Sequence, residues 1–129
     1  MSKEKRKFDL EERVISFAVR VIKVAESLPS TYTGRHLSAQ IVRCGTSPAA
    51  HYGEAQGAES RSDFVHKMKV CLKEFRETLI WLRIITQTKI IPPLRLTPLM
   101  DENNQLISIF VSSTETARQN EHKPVHEKR

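Results

Sequence analysis

The apolar residues of this chain recur at three- and four-residue intervals over long stretches, and on more than one side of each. That period specifies α-helix, and its width leaves apolar surface beyond one packing face. Between Phe8 and Leu28 the spacing is kept by Leu10, Val14, Phe17, Val21, Val24 and Leu28, with Ile15, Ala18, Ile22 and Ala25 in a second row beside it. Arg13, Arg20 and Lys23 take the opposite side. Pro29 closes the helix, because proline disfavours helical geometry in the residue before it.

Three more helices follow by the same reasoning. Thr33 is placed to cap a second helix from about Gly34 to Gln56, with Leu37, Ile41, Cys44, Pro48, Tyr52 and Ala55 on one face. Pro48 removes a backbone hydrogen bond there and predicts a kink. Gly45, in a run of small residues, points to close approach by another helix. Ser60 and Asp63 resemble a capping box opening a third helix from about Ser62 to Lys89. Its main stripe is Phe64, Met68, Cys71, Phe75, Leu79 and Leu82, while Val70, Trp81 and Ile84 fall on the flank or rear. Thr97 and Pro98 read as cap and first-turn proline of a fourth helix from Pro98 to Ala117, with Leu99, Leu106, Phe110 and Ser113 on one face and Met100, Ile107 and Val111 widening it. Residues 1–7 and 118–129 are polar and are expected to be a flexible N-terminus and a disordered tail. The fold expected for residues 8–117 is all-α: an antiparallel up-down-up-down four-helix bundle, because short connections force neighbouring helices to alternate. The surplus apolar faces predict self-association, with Val70, Glu77, Trp81 and Ile84 as candidate interface residues.

A chain of 129 residues is long enough for one domain and short for two. No apolar stretch approaches the roughly 20 residues that span a bilayer, and no apolar core follows the basic N-terminus as a secretory signal requires, so the expected location is the cytoplasm. Cys44 and Cys71 lie within helical patterns and read as free buried thiols.

Nothing in the chain has the pattern of a catalytic or metal centre. The histidines and cysteines show no paired ligand spacing. Glu54, Glu74 and Glu77 fall in mostly apolar helices, but His51 precedes Glu54 in the reverse of the Glu-x-x-His order of di-iron bundles. These carboxylates are expected to pair with Arg or cap groups at a helix interface. No nucleophile elbow, Walker loop or dinucleotide fingerprint occurs. The chain reads as non-enzymatic, without metal or cofactor.

The net charge of +6 favours anionic partners. On the third helix, His66, Lys69, Lys73, Arg76 and Arg83 fall within about a third of the circumference. Such a row suits a phosphate backbone, where each neutralised phosphate releases counterions; an ordinary solvated face has the same pattern. Arg13, Arg20, Lys23, Arg35 and Arg43 are candidates to extend it, if the fold joins them. No exposed aromatic interleaves the row, which argues against sequence-specific single-strand recognition.

The order Leu37, Gln40, Arg43, Ser47, Ala50, Glu54, then Ser60, Asp63, Phe64, then Glu74, Glu77, Trp81, Leu82 resembles the four-helix-bundle family of proteins encoded by intervening sequences in bacterial large-subunit ribosomal RNA genes. His51 stands where that family commonly carries Asn. The resemblance implies an antiparallel bundle assembling into a ring, a pentamer foremost. It also implies kinship with accessory proteins of diversity-generating retroelements, which associate with a reverse transcriptase and nucleic acid. It implies no enzyme and transfers no site. The expected function is binding of nucleic acid, RNA foremost, through Arg35, Arg43, Lys69, Lys73, Arg76 and Arg83; the rival is a protein–protein adaptor whose basic face meets an acidic partner.

Overall fold

One aromatic ring from each of four helices meets in a single chain of edge-to-face contacts. Phe17 meets Phe75 at 5.6 Å, Phe75 meets Phe110 at 5.0 Å, and Phe110 meets Tyr52 at 5.6 Å between ring centroids. The helices of this computed structural model are α1 (Lys3–Glu26), α2 (Tyr32–Gln56), α3 (Arg61–Thr88) and α4 (Pro93–Asn120). The backbone is described for residues 3–120 and side chains for 9–120. Residues 1–2 and 121–129 of the expected flexible ends lie outside the described residues, whereas residues 3–7 open α1 ahead of the expected Phe8 and residues 118–120 extend α4 past the expected Ala117.

Cross-helix pairs run in opposite order along each neighbouring pair of helices. Ser38 reaches the Ala25 carbonyl while Gly45 lies by Val21, Arg43 meets Glu77 while His51 meets Glu74, and Thr86 lies by Met100 while Phe75 lies by Asn103. The fold is an antiparallel four-helix bundle.

Local chemistry sets the helix ends. Thr31, not Thr33, is the N-cap of α2; its Oγ1 accepts from the Gly34 N–H at 3.0 Å. The Pro29 carbonyl folds so tightly over Gly34 that a Cβ there would lie 1.8 Å from its oxygen. The capping box at α3 forms in modified shape. Ser60 Oγ accepts from the Asp63 N–H at 3.0 Å, and Asp63 reaches back to the Glu59 N–H at 3.3 Å. Lys89 caps the other end in the left-handed region at φ 59°.

α4 begins five residues before the expected Pro98. Pro93 takes the first helical position, where its missing N–H costs nothing. Leu96 and Leu99 are both buried, which draws this added turn onto the core. Thr97 is not a cap; its hydroxyl donates to the Pro93 carbonyl at 3.2 Å. Pro48 stands inside α2 without dividing it, its carbonyl facing the Cys71 thiol at 3.6 Å.

The core stripe of α3 is rotated from the expected one. Val65, Thr78 and Ile85 are buried with Met68, Cys71, Phe75 and Leu82, whereas Phe64 and Leu79 are half-buried. On α4 the buried face is Leu96, Leu99, Asn103, Leu106, Phe110 and Thr114 rather than one ending at Ser113. Gly45 does admit a close neighbour, since a Cβ there would meet Val21 Cγ1 at 2.5 Å. Cys44 and Cys71 are free and buried, and burial pushes the Cys71 thiol up to about 12.

Candidate nucleic-acid interface

The polar residues between α2 and α3 form a ladder tying the two helices together. At one rung His51 Nδ1 lies 2.8 Å from Glu74 Oε1. At the next, Arg43 pairs with the Glu77 carboxylate while its Nη2 also donates to Gln40 Oε1 at 2.9 Å. Glu77 accepts a further hydrogen bond from Trp81 Nε1 at 3.1 Å. Beyond it, the His36 ring meets Trp81 edge-to-face at 5.8 Å. The Arg43 guanidinium is the main cause holding the Glu77 carboxyl below its usual range, and Trp81 adds to it; the pairing raises Arg43 in turn.

This ladder decides which cations remain free. Arg43 is held by Glu77, and on the opposite seam Arg13 is held by Glu102 at 2.7 Å. Lys69, Lys73, Arg76 and Arg83 are exposed on the outer side of α3 and make no ion pair among the described residues. Lys73 contributes only its field to Glu77, one turn away. From Lys69 to Arg83 the row runs about 21 Å at 1.5 Å per residue. Arg35 does not join it. Its Nη1 donates to the Ser30 carbonyl at 2.7 Å, and its side chain lines a shallow groove between α1 and α2 with Glu26 and Ser38. The usable patch is a single-helix row.

The candidate interface residues separate in the same way. Trp81 is half-buried against the core and engaged by His36 and Glu77, and Val70 is half-buried. Ile84 is exposed and lines a small groove with Ile80, Arg83 and Gln87. A second exposed apolar stripe lies on α1, where Ile15, Val19 and Ile22 are 42%, 46% and 39% exposed, while Ala18 and Ala25 of the same sequence row are buried. Among the described residues no group of three or more His, Cys, Asp or Glu side chains is placed to hold a metal ion, and no helix is long and apolar enough to cross a membrane.

The residues that build the α2–α3 ladder are largely those that carry the family resemblance: Gln40, Arg43, Glu74, Glu77 and Trp81. The family model described as 23S rRNA-intervening sequence protein matches residues 6–112. The chain belongs to that family. A similar solved structure is a protein of unknown function from the S23 ribosomal protein family of Bacteroides thetaiotaomicron VPI-5482. It is 28% identical, with a TM-score of 0.78, and the match covers 84% of this chain and 97% of that one. No match was found among curated proteins. In this member of the intervening-sequence protein family, the motif residues of α2 and α3 bond mainly to one another, and the solvent-facing charge comes from side chains between them.

Proposed function

We propose that the protein binds nucleic acid, RNA foremost, by laying the outer side of α3 along a phosphate backbone. The observation that carries this reading is the contrast between two sets of cations. Arg13 and Arg43 face carboxylates, whereas Lys69, Lys73, Arg76 and Arg83 face solvent in one row without one. A row of unpaired cations on a rigid rod attracts polyanions through counterion release and reads no base sequence. The family name, which ties its members to 23S rRNA, favours RNA.

The protein acts as an assembly of copies in this reading, with a ring as the expected form. The exposed stripe Ile15, Val19 and Ile22 supports association, since contiguous apolar surface marks interaction sites. Titration of random-sequence RNA at increasing salt tests the binding claim. The expected result is micromolar affinity with a steep salt slope; no binding at low salt contradicts it. Mass measurement in solution tests the assembly, which a strict monomer contradicts.

One observation favours a second reading as a protein adaptor. Ile80 and Ile84 are 50% and 38% exposed on the same side of α3 as the cations. Isoleucines add nothing to phosphate tracking but suit an acidic partner with an apolar stripe. The same titration separates the readings, because an adaptor of that kind leaves random RNA unbound.

A further inference from the structure

We propose that Tyr32 and His36, braced by Trp81, form a stacking platform for an unpaired nucleobase beside the cation row on α3. The inference rests on the nucleic-acid reading and names the form of nucleic acid that the surface takes: a single-stranded segment.

Tyr32 is the first residue of α2 and is 81% exposed. The fold makes no visible use of it. The cap of α2 is the Thr31 side chain, and the Tyr32 hydroxyl has no hydrogen bond among those of the described residues. His36 follows four residues later, on the same side of the helix, and is also exposed. Beneath it the Trp81 ring is held in place. His36 meets it edge-to-face at 5.8 Å and 77°, and the Trp81 Nε1–H donates to Glu77, which Arg43 holds from α2. His36 thus stands on a braced base, with Tyr32 one turn away on the same side of α2.

Of the row, Lys73 turns nearest the platform, whereas Arg76 and Arg83 lie about 140° and about 160° round α3 from Trp81. α2 runs antiparallel to α3, so its first turns flank the C-terminal half of α3, as the His36–Trp81 contact shows. Lys73 and Trp81 are separated on α3 by about 12 Å of rise and about 80° of rotation. A chain with phosphates on Lys69 and Lys73 reaches the rings within a few nucleotides. Cations that follow a backbone, joined to rings on which bases stack, are the two parts of a sequence-tolerant single-strand site. A blunt duplex offers its phosphates to the row but no free base to the rings.

The test compares a labelled oligouridine with a blunt RNA duplex of equal length, both by fluorescence anisotropy. Tyr32→Ala with His36→Ala is expected to weaken oligouridine binding roughly fivefold or more. Duplex affinity and the salt slope for both RNAs stay as in the wild type. Tyr32→Phe, which keeps the ring, retains wild-type affinity. Oligouridine also changes the fluorescence of Trp81, the chain's single tryptophan. Unchanged oligouridine affinity in the double variant, or equal losses for both RNAs, overturns the platform while leaving the cation row standing. Failure of the wild type to bind either RNA removes both.

Discussion

Trp81 Nε1 donates to Glu77 Oε2 at 3.1 Å, one turn back on the same helix, and Arg43 of α2 grips the same carboxylate. This arrangement fixes a pH dependence. The folded state holds the Glu77 carboxyl below its ordinary value of 4.5, so it favours the ionised form. Its contribution to stability is complete above about pH 4.5 and is lost as pH falls through the lower folded-state value. Because Glu77 is about one-third exposed, the magnitude is about 1 kcal/mol or less. In urea unfolding, Glu77→Gln is expected to be the less stable protein at pH 7. The gap should narrow as pH falls below about 4.5, whereas a gap unchanged down to pH 3 contradicts the pairing.

The aromatic chain through the core gives a larger effect. Phe75 touches both Phe17 and Phe110 and is fully buried. Phe75→Ala is expected to cost about 3–5 kcal/mol, the range for a buried ring left as a cavity. Chemical denaturation checks it, and a loss under 1 kcal/mol contradicts the central packing role.

Helix layout and the exposed cations were legible in the sequence because both follow from period and charge. Stripe centring was not. Phe64 and Leu79 match the apolar pattern as well as Val65 and Thr78 do. The choice depends on how α2 and α4 approach α3, and a Thr that bonds its own helix, as Thr78 does to the Glu74 carbonyl, is buried at little cost. The start of α4 was hidden by Pro98, whose position six residues into the helix is tolerated once Leu96 and Leu99 are buried. Arg43 looked like one more surface cation, because no local spacing reveals a carboxylate on the neighbouring helix. The exposed pair Tyr32 and His36 carried a readable four-residue spacing, but its location beside Trp81 required the fold.

Asn103, like Thr114, is a buried polar residue of α4 that sequence reasoning passed over. Its Nδ2 donates to the Phe75 carbonyl at 3.0 Å, while Oδ1 is buried with no partner among the described residues. A buried acceptor without a partner costs about 1–3 kcal/mol. Asn103→Leu is therefore expected to raise the thermal midpoint. A lowered midpoint contradicts this account and assigns the amide a net stabilising role.

Two glycines of α2 should respond in opposite directions. At Gly34 a Cβ collides with the Pro29 carbonyl at 1.8 Å, so Gly34→Ala breaks the α1–α2 turn and destabilises. At Gly53 nothing lies within 4 Å of an added Cβ, so Gly53→Ala gains helix propensity of about 1 kcal/mol. Thermal melts of the two variants check the sign of each.

The unpaired row on α3 is tested most directly by the salt dependence of RNA affinity in the wild type and in Lys69→Ala with Lys73→Ala. Four engaged cations per protomer give a slope of log K against log salt near about −2.8 for a single strand. The account predicts weaker binding by the double variant and a slope about half as steep. Wild-type affinity and an unchanged slope in that variant would contradict it.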